Sequence, residues 1–324
     1  MRQWRLLACA GIVLASVGVA LAQFGPAPMW SGYVNGDYVT GGNAGRTPAF
    51  GGNQLMDPFP VGMAWPGTVV KAWAHWSYLE TTATVGTNSV ITINGVGVGG
   101  AVTGLLSPDV CWGNAFTTNY TADVTPLMTA FGPGVYAVGT ANDRPHAAGV
   151  DLAEGVSLLV VYDDGSPTRA VHVYTGATQT DTTVGLAPGT MGGWLNAYPG
   201  GPAHFFLNAN DGQFDGGLGA WGDDFLINGT VVSGLLPGTG APGDGWQGLL
   251  GPGPWGAPGT VQYDHGEGDS SPWMLGGDTA LGFLTTYYGG GDCVNHSFGA
   301  ISFAPEPTSL VLLALGGLAV LRRR

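Results

Sequence analysis

The sequence predicts an all-β protein: two tandem β-sandwich units of jelly-roll type, flanked by an N-terminal signal helix and a short C-terminal apolar helix. Three observations carry that prediction. Apolar residues alternate with a period of two, or run on over short stretches, and no part of the body has a long amphipathic helical pattern. Glycine (59) and proline (22) are abundant, yet 44% of the chain is hydrophobic and 11 residues are tryptophan. Short core-forming strands joined by tight turns reconcile those figures, whereas disorder does not. Finally, a strand, an Asn-Gly turn, a second strand and a glycine occur in that order twice, at 89–100 and 223–234. That spacing reads as a duplication, although generic Asn-Gly hairpins would look the same.

The elements follow in chain order. Residues 1–22 have a charged start (Arg2, Arg5), an apolar stretch and the small-residue site Ala20-Leu21-Ala22, which is the pattern of a secretory signal peptide. Cys9 sits too early in the apolar run to be a lipidation site, because such a site ends the run. Residues 23–59 read as an irregular leader to the first unit, 60–180. In that unit, 68–78 alternates so that Val70, Ala72, Ala74, Trp76 and Tyr78 share one face while Trp73 and His75 share the other. Residues 89–94 alternate up to Asn94-Gly95, a strong hairpin signal. Thr125 to Phe131 reads as a short helical turn after Asp123, and 135–138 as a short strand. Residues 155–162 are almost continuously apolar, as in a strand buried on both faces. The Asp163-Asp164-Gly165-Ser166-Pro167 turn and the alternating stretch 169–174 are expected to complete a hairpin with it. The second unit, 181–304, repeats the Asn-Gly hairpin and closes on apolar strands at 279–288 and 297–303.

The tail, 305–324, has three parts in order. Pro305-Glu306-Pro307 precede an uncharged apolar run of 14 residues, 308–321, and then Arg322, Arg323 and Arg324. As a helix that run would be about 21 Å long, short of the hydrocarbon core of about 30 Å. It suits transient retention in a membrane, with the arginines on the cytoplasmic side. Together these residues resemble the PEP-CTERM sorting signal, also called the C-terminal motif of ice-binding proteins. The resemblance covers only the tail. It implies a bacterial exosortase-type processing enzyme as partner and a destination in the cell envelope, on the cell surface or outside the cell. It implies nothing about the body, which lacks the regular Thr-x-Thr ladder that ice binding would call for. Much of 68–175 is similar to uncharacterised bacterial and archaeal surface β-domains, through the Ile-Asn-Gly hairpin, Tyr120-Thr-Ala-Asp-Val-Thr125 and the acidic turn after Tyr162. That likeness implies a secreted β module without catalytic residues to carry over.

Charge and chemistry narrow the function classes. Five of the nine basic residues lie in the terminal signals, against one of the 22 acidic ones, so the body carries four against 21, a net −17. Such a surface repels phosphate backbones, and nucleic acid is not expected as a partner. Cys111 and Cys293, 182 residues apart, are either one long-range disulfide or two buried thiols. The six histidines are dispersed, without a zinc or nucleophile-elbow pattern, so no catalytic residue is assigned. Asn208, Asn210, Asp211 and Asp215, with Asp223 and Asp224, form the richest polar cluster. They offer oxygen ligands for Ca²⁺ without EF-hand spacing, or ordinary turn chemistry. Trp194, Trp246, Trp255 and Trp273 lie in Gly/Pro-rich stretches, where they stack on sugar rings or plug loops. The expectation is an exported, non-catalytic structural or adhesive protein of the cell surface or extracellular polysaccharide. The alternatives are a lectin-like carbohydrate-binding module and a secreted polysaccharide hydrolase, whose paired carboxylates would need only spatial proximity.

Overall fold

The computed structural model describes residues 24–25, 27–44, 58–80, 86–106, 116–140, 151–179, 186–210, 221–237, 239, 263–289 and 294–305. The first part of the chain forms β1 (Trp30–Val34), β2 (Gly36–Ala44), β3 (Phe59–Met63), β4 (Thr68–Glu80), β5 (Val90–Ile93), β6 (Val96–Gly99), β7 (Ala101–Leu106) and β8 (Phe116–Asp123). Helix α1 (Thr125–Phe131), β9 (Gly134–Thr140) and β10 (Leu152–Asp163) complete it. The second part forms β11 (Arg169–Gln179), β12 (Leu186–Met191), β13 (Ala203–Asn210), β14 (Trp221–Ile227), β15 (Thr230–Val231) and β16 (Tyr263–Asp269). A 3₁₀ turn (Ser271–Trp273), β17 (Leu281–Gly289) and β18 (Asn295–Phe303) follow. Among the described residues no helix is long and apolar enough to cross a membrane.

Four antiparallel sheets stack as layers. The first outer sheet has the order β3-β9-β5-β6 and the first inner sheet β2-β10-β4-β8-β7. The second inner sheet runs β1-β11-β18-β13-β16 and the second outer sheet β12-β17-β14-β15. Each gap is filled by its own apolar core. Trp76, Tyr78, Tyr120, Ile91, Val61 and Val138 lie between the first two layers. Phe205, Leu207, Phe225, Phe283, Ile301 and Phe303 lie between the last two. The middle gap holds Trp73, Leu159, Val161, Val171, Phe206 and Phe298. Period two explains the sharing: along β4, Ala72, Ala74, Trp76 and Tyr78 enter the first core, while Trp73 enters the middle one. The sequence expectation for both faces of this strand holds from Ala72 onward. Val70, expected in line with Ala72, is instead 38% exposed while Val69 packs on the first core, because β4 shifts register against β10 between Val69 and Lys71. The stretch 155–162 is likewise buried on both sides within β10.

The repeat is legible as topology. β3-β9-β5-β6 and β12-β17-β14-β15 have one order, and β2-β10-β4-β8 matches β11-β18-β13-β16. Both hairpins turn on Asn-Gly with left-handed backbones, Asn94 (φ 50) with Gly95 (φ 79) and Asn228 (φ 47) with Gly229 (φ 80), the type I′ geometry that matches strand twist. The helical turn expected after Asp123 is α1, started by Pro126 and ended at Gly132 with φ 70.

Two further expectations are corrected. The leader 23–59 is not irregular throughout: 30–34 and 36–44 are β1 and β2, edge strands whose glycines and polar residues hid their period but whose backbones pair with β11 and β10. β10 and β11 do not form a hairpin: β10 pairs with β2 and β4, whereas β11 pairs with β1 and β18. The acidic turn carries the chain from one inner sheet to the other. Alternation and turn chemistry are the same for a hairpin and for such a crossing, so sequence could not separate them. The pairing places β11, 169–179, in one sheet with β18, β13 and β16 and with β1 from the start of the described chain, across the expected unit boundary at 180.

The two inner sheets approach closely where side chains are missing. A Cβ at Gly104 on β7 would lie 2.0 Å from the Gly176 carbonyl oxygen on β11. Gly104→Ala is therefore expected to cost about 1–3 kcal/mol by forcing the sheets apart. Urea unfolding would read this as a lower midpoint at unchanged slope.

Candidate functional site in the seam between the sandwiches

The middle gap is apolar over one part and polar over the rest. The polar part begins at a bulge in β18, where pairing with β13 shifts register between Leu207 and Asn210. Asn208 repairs the shift: its Oδ1 accepts from the backbone N–H groups of Ser297 (3.0 Å) and Phe298 (2.7 Å). Its Nδ2 donates to Tyr263 Oη (3.1 Å) and Ser297 Oγ (3.0 Å). The bulge turns Ser297 toward the first inner sheet, where its Oγ lies 2.8 Å from His75 Nε2. The other ring nitrogen of His75 is 3.0 Å from Thr121 Oγ1. Nearby, Ser157 Oγ on β10 contacts His265 Nε2 (2.9 Å) and Tyr263 Oη (2.5 Å), both on β16. Hydrogen bonds thus tie the inner sheets together side chain to side chain.

Two Ser–His pairs invite a nucleophilic reading, since a neutral imidazole can take a hydroxyl proton. Burial lowers His265 to about 4, and burial together with the neighbouring His265 lowers His75 to about 3. Both imidazoles are therefore neutral near pH 7. Yet Ser157 and Ser297 are fully buried, and neither hydroxyl can meet a substrate in this arrangement. What the pairs do here is satisfy buried polar groups across the gap.

At the other end the seam is charged. His204 on β13 lies 2.8 Å from Glu267 on β16 through Nε2, and 3.5 Å from Asp37 on β2 through Nδ1. Asp37 also meets Arg169 Nε on β11 at 3.2 Å and accepts from the Ser302 hydroxyl. Thr40 on β2 donates to Glu267, and the Tyr38 ring stacks on His204 with centroids 4.3 Å apart. Two carboxylates, one guanidinium and one imidazole thus bridge the inner sheets as a clasp. Burial pulls the His204 pKa down, but hydrogen bonds and charge from Asp37 and Glu267 outweigh it and raise it to about 9. Burial pushes Asp37 up, while His204, Arg169 and Ser302 together hold it below the usual carboxylate range.

These shifts predict a stability maximum near neutral pH. The His204 contribution to the clasp is fully present below about pH 6.5, the ordinary histidine value, and is lost as pH rises through about 9, whereas that of Asp37, held low, is lost as pH falls below the carboxylate range. His75, His172, His265 and His296 are all depressed, to about 3 or 4. Their contribution is complete above about 6.5 and is lost as pH falls, because the unfolded chain takes up protons first. Urea midpoints measured from pH 4 to 10 are expected to peak near 6–7 and fall on both sides. A midpoint still climbing at pH 9 would contradict the clasp.

A further polar group closes one end of the first sandwich. Glu80, fully buried, accepts from Tyr120 (2.5 Å), Thr118 (2.5 Å) and Asn88 (3.1 Å), and Asn88 also reaches Asp151 at 2.9 Å. These hydroxyl and amide donors satisfy the buried Glu80 side-chain oxygens.

The residues singled out from sequence are placed as follows. Asn208 and Asn210 lie on strand β13, not on a loop, and hydrogen-bond to Ser297 in the seam. Asp223, on β14, shares parity with Phe225 and Ile227 of the second core. The described members of the calcium set therefore face different gaps and do not converge. Among the described residues no group of three His, Cys, Asp or Glu could hold a metal. Trp194 and Trp273 are partly buried against the second core. Asp211, Asp215, Trp246, Trp255, Cys111, Cys293, Glu306, Pro307, Arg322, Arg323 and Arg324 lie outside the described residues; Pro305 is described, just beyond β18. Sequence reading missed the clasp and the seam pairs. The clasp charges and the two Ser–His pairs lie on seven strands far apart in the chain, β2, β4, β10, β11, β13, β16 and β18, and none of them belongs to a local motif.

No protein-family model matches the chain, and no curated protein matches it. Among solved structures it is similar to a recombinant peptide:N-glycanase F (12% identity, 84% of this chain and 96% of that one, TM-score 0.26). It is similar to the ANXUR2 extracellular domain from Arabidopsis thaliana (10% identity, 84% and 92%, TM-score 0.23). It is also similar to BuGH86 in complex with neoagarooctaose (12% identity, 76% and 34%, TM-score 0.20). Likeness at this level carries no argument about activity.

Proposed function

We propose that this chain is an exported, exosortase-sorted protein of the cell surface or extracellular matrix with a cohesive, non-catalytic role. Its export signal and PEP-CTERM-like tail supply the address. The observation that carries the role is the seam: buried Ser–His pairs and the Asp37–Arg169–His204 clasp cross between the two inner sheets and hold the two sandwiches together. An acidic, glycine-rich, hydrogen-bonded β stack suits a building unit exposed outside the cell. Processing is expected at Pro305-Glu306-Pro307 after transient retention by 308–321. Mass spectrometry of the mature surface form tests this, and a C-terminus still ending at Arg324 would count against it. The lectin-like alternative draws on Trp194 and Trp273, which keep part of their rings exposed. A glycan array showing binding that is lost on replacing both tryptophans would favour that reading over the cohesive one.

A further inference from the structure

The two outermost faces of the stack share an unusual property for so acidic a chain. β3, β5, β6 and β9 contain no charged residue. Their outward positions are Pro60, Val90, Thr92, Val135, Ala137 and glycines, with Val135 69% and Val90 50% exposed. At Gly62, Gly97 and Gly99 nothing stands within 4 Å of where a Cβ would be. A groove of about 330 Å³ crosses this face, lined by Val90, Thr92, Ala137 and Gly139 among others. Such a floor offers little to a sugar, which needs hydrogen-bonding groups or aromatic faces.

The opposite end is the complement. On the second outer sheet Pro188, Leu284, Leu226 and Val231 stand in register across all four strands. Phe225, Ile227 and Phe283 point inward, so this row points outward as an apolar ridge, with Val231 37% exposed. The one acidic residue of outward parity here, Asp224, is only 7% exposed. The two sheets have the same strand order and number, which gives them like width and twist. Sheets so matched can pack face to face, as layers already do across three apolar gaps inside the molecule.

We propose that the protein stacks end to end on copies of itself, the leucine ridge of one copy seated in the glycine groove of the next. Charge selects the partner surface: a body of net −17 repels its own copies, and these two faces meet without opposing carboxylates. The contact joins unlike surfaces, so it does not close on itself but propagates. It is also small. Four strands about 4.8 Å apart and about 15 Å long cover roughly 300 Å² per partner, below the roughly 800 Å² of a standard interface. Assembly therefore depends on crowding, and added salt strengthens it by screening the remaining repulsion. The contact deepens the cohesive role proposed above and rests on it. A chain correctly processed at its tail yet monomeric would overturn the contact alone.

Sedimentation of the full chain from about 10 μM to about 1 mM tests it. The average mass is expected to rise past the dimer without a plateau. Val90→Glu blocks the groove, which Val90 lines, and Val231→Glu blocks the ridge, both at exposed positions, and each variant alone is expected to lose association at least about tenfold. Their equimolar mixture retains one intact groove and one intact ridge, so it is expected to form dimers and nothing larger. A monomer at every concentration overturns the proposal. So does assembly unaffected by either substitution, or a Val231→Glu variant that still dimerises, since that would mean two grooves pairing.

Discussion

Replacing Asn208 with leucine is expected to destabilise the protein by about 3–5 kcal/mol, the largest loss for any single polar side chain in the seam. Leucine is close in volume, so the effect is not a cavity. The side-chain oxygen holds the backbone N–H groups of Ser297 and Phe298 at the β18 bulge, and the amide nitrogen donates to Tyr263 and Ser297. All lie in buried surroundings. Two orphaned N–H groups cost about 1–3 kcal/mol each. Without them held, the bulge need not turn Ser297 toward His75, and the link between inner sheets weakens. Urea unfolding gives the loss as a lower midpoint. A loss under 1 kcal/mol would mean that the backbone finds other partners.

Asp37→Ala is expected to cost about 2–4 kcal/mol near pH 7, below the 3–5 of a fully buried pair because the clasp keeps some contact with water. The substitution leaves Arg169 and His204 side by side without the carboxylate that now separates their charges. The His204 pKa should fall from about 9 toward the ordinary 6.5 or lower. The high-pH decline in stability should then shift to lower pH. Titration of the His204 ring resonances in both proteins measures the shift directly, and an unchanged midpoint would show that Glu267 alone sets it.

How much of this could be read from the sequence depends on the range of the interaction. Strand positions follow from period two, which is why both faces of β4 and the buried β10 were legible. The Asn94-Gly95 and Asn228-Gly229 turns announce their conformation locally, because few residue pairs accept two left-handed backbones. Which strand pairs with which is not local: the turn at Asp163-Asp164-Gly165 serves a crossing between sheets as readily as a hairpin. The clasp is less legible still. Asp37 and His204 are 167 positions apart, and only the stacking of two sheets brings them together. Asn208 and Asn210 read from sequence as calcium ligands or turn residues because the residues after them are turn formers, yet Asn208 repairs a bulge within a sheet. A polar residue among Phe205, Phe206 and Leu207 is the one local sign that something buried needs a hydrogen bond there.

The position of β1 has a mechanical consequence. The chain enters through β1, which lies beside β11 in the second inner sheet, and leaves through β18 on the other side of β11. Trp30 faces Val173 and Phe303 faces Ala170, so entry and exit run in the same direction. A pull between the two ends acts about as much across the ribbon as along it, since Trp30 and Phe303 are about 10 Å apart in each direction, so the rungs on both sides of β11 are loaded together by a mixture of shear and lateral tension. The first sandwich, looped out between these strands, stays off the line of tension. A molecule tethered at its tail and tugged from its front would yield only when that three-strand ribbon gives way.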